Sequence, residues 1–415
     1  MSLLLQNAVI LDVSSPYHKE KKDILVEDGR ITFQFSKKNY PRVDLQGKLV
    51  SPGWFDLSAN FNDPGREHKE DIESGISVAS SGGFTDVQLI PDTYPPIETK
   101  TDVNYLKSFT GSGVDLHPSA ALSEGLKGEN LCEILDLNDA GAVSVSDGDN
   151  AIWNSKLLLK ALQYSSQVDL RVFQNPRDSS LSNLTDMHEG LISTELGLRG
   201  EPSLSEELTI KRDLDILKYA GGKLHFSRVS TANAVSLIKE AKENRLDVTA
   251  DVALHNLLFT DASIGQFDTN FKTIPPYRTL DDRKALLEGV RSGVIDAICS
   301  NHRPQDQESK QLEFDLADPG VISLQTFYPA LLQISEVPFE ILVQRITEGP
   351  RKVLGLDNIS IEEGFPAKLT VLDENQDWAL DPDSNFSKSI NSPFWGQKLH
   401  GKVLGIVNGE FHNLN

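Results

Sequence analysis

The stretch SPGWFDLSANFNDPGREHKED, residues 51–71, decides how the rest of the chain is read. An apolar run ends in Ser58, Asn60 and Asn62 and passes through Pro64-Gly65 into a charged segment, as a buried strand does when it opens into a loop at a barrel mouth. From Pro52 to about Pro350 the alternation of short apolar runs with amphipathic stretches recurs. Eight runs stand out, and most close on a polar cluster: GWFDLSAN, FTDVQLIPDT, VDLHPSAAL, AGAVSVSDGD, VDLRVFQNP, KLHFSRVST, DVTADVALHN and VIDAICSNH. Eight βα units predict an α/β chain folded as a TIM (β/α)8 barrel, with its chemistry at the C-terminal ends of the strands.

The helical stretches carry their own punctuation. SEELTIKRDLDILKYAGG repeats with helical period and stops at Gly221-Gly222, and Thr279 with Asp282 makes a capping pair ahead of another helix. The two ends of the chain differ. DILVEDGRITFQF and GKVLGIVNGEFHN alternate with period two around Asp28-Gly29 and Asn408-Gly409, which are tight-hairpin signals. Together with AKLTVLD they predict a small β-sandwich domain built from both termini, residues 1–51 and 351–415, with the barrel of residues 52–350 inserted into it.

Composition narrows the function classes. A chain of 415 residues that is 39% hydrophobic and 24% charged can bury a large core. Its formal net charge of -21 works against a nucleic-acid partner, because phosphate binding needs clustered Lys and Arg. No run approaches the roughly 18 apolar residues of a membrane span. The opening residues MSLLLQNAVILDV lack a basic start and break at Gln6, unlike a secretory signal. Cys132 and Cys299 stand far apart and read as buried small hydrophobes, so a cytoplasmic location is expected.

Six segments carry a resemblance: PGWFDLSANFNDPGREHKEDIESG, GGFTDVQLIPDTYP, SDGD, SRVSTANAVSLIKEAK, PPYRTLDDRKALLEGVRSGVIDAICSNHRPQ and NSPFWGQKLHGKVLGIVNGEF. In order and nearly end to end, the chain resembles the long-chain bacterial dihydroorotases of the amidohydrolase superfamily. The resemblance implies a zinc-dependent barrel in which metal-bound hydroxide opens or closes a dihydroorotate ring while an aspartate moves the proton.

The residues at the implied positions do not suit that chemistry. Where the family has His-x-His-x-Arg, this chain has Ser58, Asn60 and Asn62. The ligand histidine of the fifth strand falls on Gln174 or Asn175, with Asn175 favoured by spacing, and that of the sixth on Arg228. Asp-His-Ala-Pro-His has become Asn301-His302-Arg303-Pro304-Gln305, so an amide stands in for the proton-shuttling aspartate. Only Asp147 resembles a metal-site carboxylate, and one carboxylate cannot hold a zinc that takes three protein ligands. On the substrate side a cation is lost at Asn62, an anion is gained at Asp92, and Gln305 replaces a histidine. Such a change disfavours a dianionic substrate by more than the tenfold that about 1.4 kcal/mol represents.

Four readings of individual residues follow. Arg228 is expected to pair with Asp147 in the former metal space, and His302 to be a packed or hydrogen-bonded remnant. His225 and His255 invite a metal reading, but His225, out of phase with Arg228, is expected to face the helix layer as a structural histidine. His68 matches a family histidine and reports ancestry. The acidic run DQESKQLEFDLAD reads as a solvated loop or, second, as the remnant of a substrate-covering lid.

The leading expectation is a catalytically inactive dihydroorotase homologue of pyrimidine biosynthesis, without a metal cofactor. The resemblance implies aspartate carbamoyltransferase as its partner, and a homodimer is common among relatives. Two alternatives stand beside it. One is an active cyclic amidohydrolase using Asp92, Asp147, Arg228 and His302, and the other is a non-catalytic small-molecule sensor.

Overall fold

The computed structural model describes residues 2–35, 39–109 and 111–414. All eight runs are strands: β1 (Trp54–Ala59), β2 (Phe84–Leu89), β3 (Asp115–Ala121), β4 (Ser144–Ser146), β5 (Arg171–Gln174), β6 (Leu224–Phe226), β7 (Val248–Ala253) and β8 (Ala297–Cys299). Each pairs with the next in parallel. The barrel closes just beyond β8, where His302 N–H donates to the Ser58 carbonyl at 3.2 Å and Asn60 N–H donates to the His302 carbonyl at 3.0 Å. Three of the residues singled out in the sequence therefore sit on the seam that shuts the barrel.

Strand alternation sorts the side chains into two layers. Val87, Val145, Val172, Leu224, Val252 and Ile298 pack into one core with helical residues such as Ile76, Leu157, Ile238 and Leu286. Phe55, Leu57, Phe173, Ala253, Ala297 and Cys299 form a separate cluster that fills the barrel. The predicted caps are present. Thr279 Oγ1 accepts from Asp282 N–H ahead of the helix Leu280–Ser292, and the helix Leu204–Ala220 ends at Gly221 with φ of 70°.

Strands from both termini form an eight-stranded sheet. Leu49–Pro52 pairs antiparallel with Lys368–Ala379, and Gly53 alone separates that strand from β1. Leu5, Ile24, Val26, Val50, Leu369, Val371 and Val407 give this sheet its own core. Asp28 and Gly29 form a two-residue turn with φ of 51° and 72°, as a type I′ hairpin requires. In the second hairpin Asn408 pairs with Phe411, so the turn residues are Gly409 and Glu410, one position later than the Asn-Gly signal suggests.

The acidic run is largely exposed, as expected of a solvated loop, but it is anchored at two points. Residues 307–310 form a short helix, Phe314 is buried with Met187 and Ile264, and the Lys310 ammonium donates to the carbonyls of Thr269, Asp318 and Gly320. An apolar anchor and a lysine holding three carbonyls fix this charged segment while most of its other side chains stay in water. The reading of His225 is corrected. It lies in register with Phe173 on the inward layer, its ring 4.3 Å from the Phe173 ring, and its nitrogens meet Thr249 Oγ1 at 2.8 Å and Asp251 Oδ2 at 2.9 Å. Counting outward from Arg228 failed because β6 ends at Phe226 and Arg228 has a left-handed φ of 56°, which breaks the alternation.

Candidate functional site: an ion cluster at the barrel mouth

The ends of β1, β4, β6 and β8 converge on a polar cluster whose centre is Asp149, two residues beyond Asp147. Asp149 Oδ1 accepts from Arg228 Nη1 at 2.6 Å and from Arg303 Nη2 at 2.8 Å. Arg228 Nη1 also donates to Asn301 Oδ1 at 3.0 Å. Asn175 Nδ2 donates to the Asp149 carbonyl at 2.8 Å. Arg228 is thus tied to Asp149, and the expected pairing with Asp147 is replaced. Asp147 accepts from Ser123 N–H and Oγ–H, which fixes the loop after β3, and burial pushes its carboxyl up to about 6.

The reason lies in the turn after β4. Gly148 takes φ of 65°, and a Cβ placed there would fall 1.3 Å from Asp92 Oδ1. Only glycine allows Asp92 so close. Asp92 Oδ2 then accepts from Asp149 N–H at 2.9 Å. Asp147 and Asp149, on either side of this glycine, bind opposite partners. Asn62, Arg228 and Asn301 also hold left-handed φ values between 50° and 59°. Such conformations persist where the surroundings over-determine them, and here Asp251 accepts the Arg228 N–H at 2.6 Å.

Charge organises the cluster. Burial works to raise the Asp149 carboxyl, but Arg303 and Arg228 hold it well below the usual carboxylate range. Asp92 moves the other way, pushed up to about 7 by burial and by the negative charge of Asp149. Burial opposes the Arg228 charge, yet Asp149 keeps that guanidinium above its ordinary value.

The other predicted residues fall around this centre. Ser58 is buried and its hydroxyl has no protein partner. Asn60 accepts from Asn62 N–H at 2.7 Å and donates to the Asp92 carbonyl at 3.3 Å. Asn62 donates to the Pro304 carbonyl at 3.4 Å. Gln174 turns to the helix layer, donating to Asp213 Oδ2 at 2.7 Å, which leaves Asn175 as the fifth-strand residue facing the mouth. Gln305 accepts from Lys69 and donates to the Pro319 carbonyl.

His302 is fully buried, and burial lowers its pKa. Its Nδ1 accepts from Ser323 N–H at 3.1 Å, which places any ring proton on Nε2, 3.8 Å from Glu70 Oε2. It is hydrogen-bonded as expected. His255 is buried against Phe259 and Phe394 and is pushed down to about 4 by burial. His68 is exposed and lies 3.2 Å from Asp306.

Sequence reading missed two residues here, Asp149 and Arg303. The available signal was electrostatic: two arginines entering a barrel mouth require a carboxylate, and SDGD supplies a second one. Among the described residues, no group of three or more His, Cys, Asp or Glu side chains could hold a metal ion. No helix among them is long and apolar enough to cross a membrane.

Comparison with known proteins places this geometry. A family described as Dihydro-orotase-like matches residues 47–234. The chain is 36% identical to a dihydroorotase of Syntrophotalea carbinolica over 420 residues, covering 99% of this chain and 98% of that one. It is 38% identical to a dihydroorotase of Acetivibrio thermocellus over 398 residues, covering 93% of each. Among solved structures, the L-hydantoinase (dihydropyrimidinase) of Arthrobacter aurescens superposes with a TM-score of 0.86 at 22% identity, covering 100% of this chain and 96% of its own. A D-hydantoinase (dihydropyrimidinase) of Thermus sp. gives 0.83 at 18% identity, covering 100% and 95%. At those identities the likeness is one of fold.

Proposed function

The chain belongs to the dihydroorotase family, and from that premise we propose that it is a member without dihydroorotase activity, serving pyrimidine biosynthesis as a structural or regulatory partner of aspartate carbamoyltransferase. The observation that carries the first part is the Arg228–Asp149–Arg303 cluster at the mouth. The family's reaction needs ligands that hold a zinc ion and a carboxylate that moves a proton. The residues at those places are Ser58, Asn60, Asn175, Arg228 and Asn301. A guanidinium has no lone pair to offer, and amides and a hydroxyl are poor zinc donors. This donor set does not fit the ion.

Nor does an obvious metal-free route take its place. Attack of water on an amide without a metal needs a general base, and His302, the one imidazole at the seam, is buried with Nδ1 already accepting a backbone N–H. Conservation of the scaffold at 36% identity over nearly the whole chain supports a role for the fold itself. The partner proposal rests on the resemblance alone, which implies aspartate carbamoyltransferase as the first partner to test. Co-expression of the two chains followed by size-exclusion chromatography tests it: co-elution is expected, and separate elution at micromolar concentrations would refute the partnership while leaving the inactivity proposal standing.

A further inference from the structure

The ion cluster is incomplete in a specific way. Arg228 and Arg303 are 2% and 8% exposed, and Arg228 Nε and Arg303 Nε and Nη1 have no protein partner. Leaving a buried donor unpaired costs about 1–3 kcal/mol, more for charged groups. Both guanidiniums reach the same oxygen of Asp149, and Arg228 also lies in the field of Asp251, which accepts its backbone N–H. The neighbouring Asp92 adds less than a full negative charge, because burial and Asp149 push it toward the neutral form.

We propose that the two guanidiniums form a binding site for a small, singly charged anion, of the size of chloride or formate. An anion can accept from the unpaired N–H groups through charge-assisted hydrogen bonds, which are stronger than those a neutral molecule would make. Ser58, Asn60, Asn175 and Asn301 beside the cluster are buried and uncharged, so they add no positive charge of the kind a dianion would draw on. The site thereby inverts the selectivity implied by its ancestry, from a cation held by neutral and negative ligands to an anion held by positive ones. This proposal does not depend on inactivity or on a protein partner, and its outcome is read without turnover.

The test uses the full chain and the Arg303→Gln variant, in which Asp149 keeps Arg228 as its partner. Thermal midpoints are measured in gluconate buffer titrated with formate or chloride at constant ionic strength. The wild-type midpoint is expected to rise with one or both anions, the more effective one identifying the ligand as carboxylate or halide. Arg303→Gln is expected to weaken the apparent affinity about tenfold. No response beyond gluconate, or an equal response in both proteins, would overturn the proposal. Should the variant fail to fold, wild-type crystals soaked in bromide decide: an anomalous peak within hydrogen-bond reach of both guanidiniums supports the site, and peaks only elsewhere refute it.

Discussion

Two ion clusters, at opposite ends of the barrel, are built to different standards. At the floor, Asp86 accepts from Arg351 at 2.6 Å, Lys368 at 2.6 Å, His117 at 2.9 Å and Thr85 at 2.8 Å. Arg351 spends its other donors on the carbonyls of Gly53 and Thr347, and Lys368 reaches Asp115 as well. At the mouth, Asp149 binds two arginines that still carry unpaired N–H groups, beside an unpaired Ser58 hydroxyl and an unpaired Asp92 oxygen. The floor joins the barrel to the small domain through Lys368, a residue of the terminal sheet. A cluster that serves only structure is satisfied on every side. The mouth combines left-handed backbone at Asn62, Arg228 and Asn301 with unpaired polar groups.

Four substitutions or conditions would break or sharpen this contrast. Asp86→Asn should cost the most, about 3–5 kcal/mol by urea denaturation, because it strands Arg351 and Lys368 beside a neutral amide. A loss under about 1 kcal/mol would mean that the floor is not the tie between domains. Gly148→Ala should follow at about 2 kcal/mol, since it demands both a left-handed alanine and displacement of Asp92. If its unfolding curve overlays that of the wild type, the mouth is looser than described.

Asp149→Asn should cost less than the floor variant, about 1–2 kcal/mol, because Asp149 is partly exposed and water can take up some of the arginine charge. A cost equal to that of Asp86→Asn would erase the distinction between the two ends. The smallest effect concerns pH. Asp86 has a depressed folded-state pKa, so its contribution is present above the unfolded value near 3.9 and is lost only as pH falls below that. Asp92 is raised to about 7, so between about pH 4 and 7 the folded state binds the extra proton and stability falls as pH rises. Asp92→Asn should remove that decline, raising stability relative to the wild type at pH 8 and leaving it unchanged at pH 4. A gain of the same size at both pH values would show that the charge of Asp92 is not its cause.

Much of this was legible in the chain itself. The eight strands could be read because each apolar run had strand length and ended in polar residues, and the seam residues Ser58, Asn60 and His302 were found because motif order survives where motif chemistry does not. What escaped depended on backbone conformation. His225 was turned to the wrong layer because alternation was carried past the end of β6 to Arg228, whose left-handed φ resets the count. Asp149 was overlooked for Asp147 because Gly148 reverses the chain between them. The anchoring of the acidic run depended on Phe314 and Lys310, whose partners lie far away in sequence.

The most direct measurement is turnover of dihydroorotate and of carbamoyl aspartate by the purified chain, with zinc or manganese added and again after chelation. The ion cluster predicts no turnover under any of these conditions. Metal-dependent turnover in either direction would contradict the account, because it would require Arg228, Arg303 and Asp149 to part and a metal to be held by ligands that the mouth does not present.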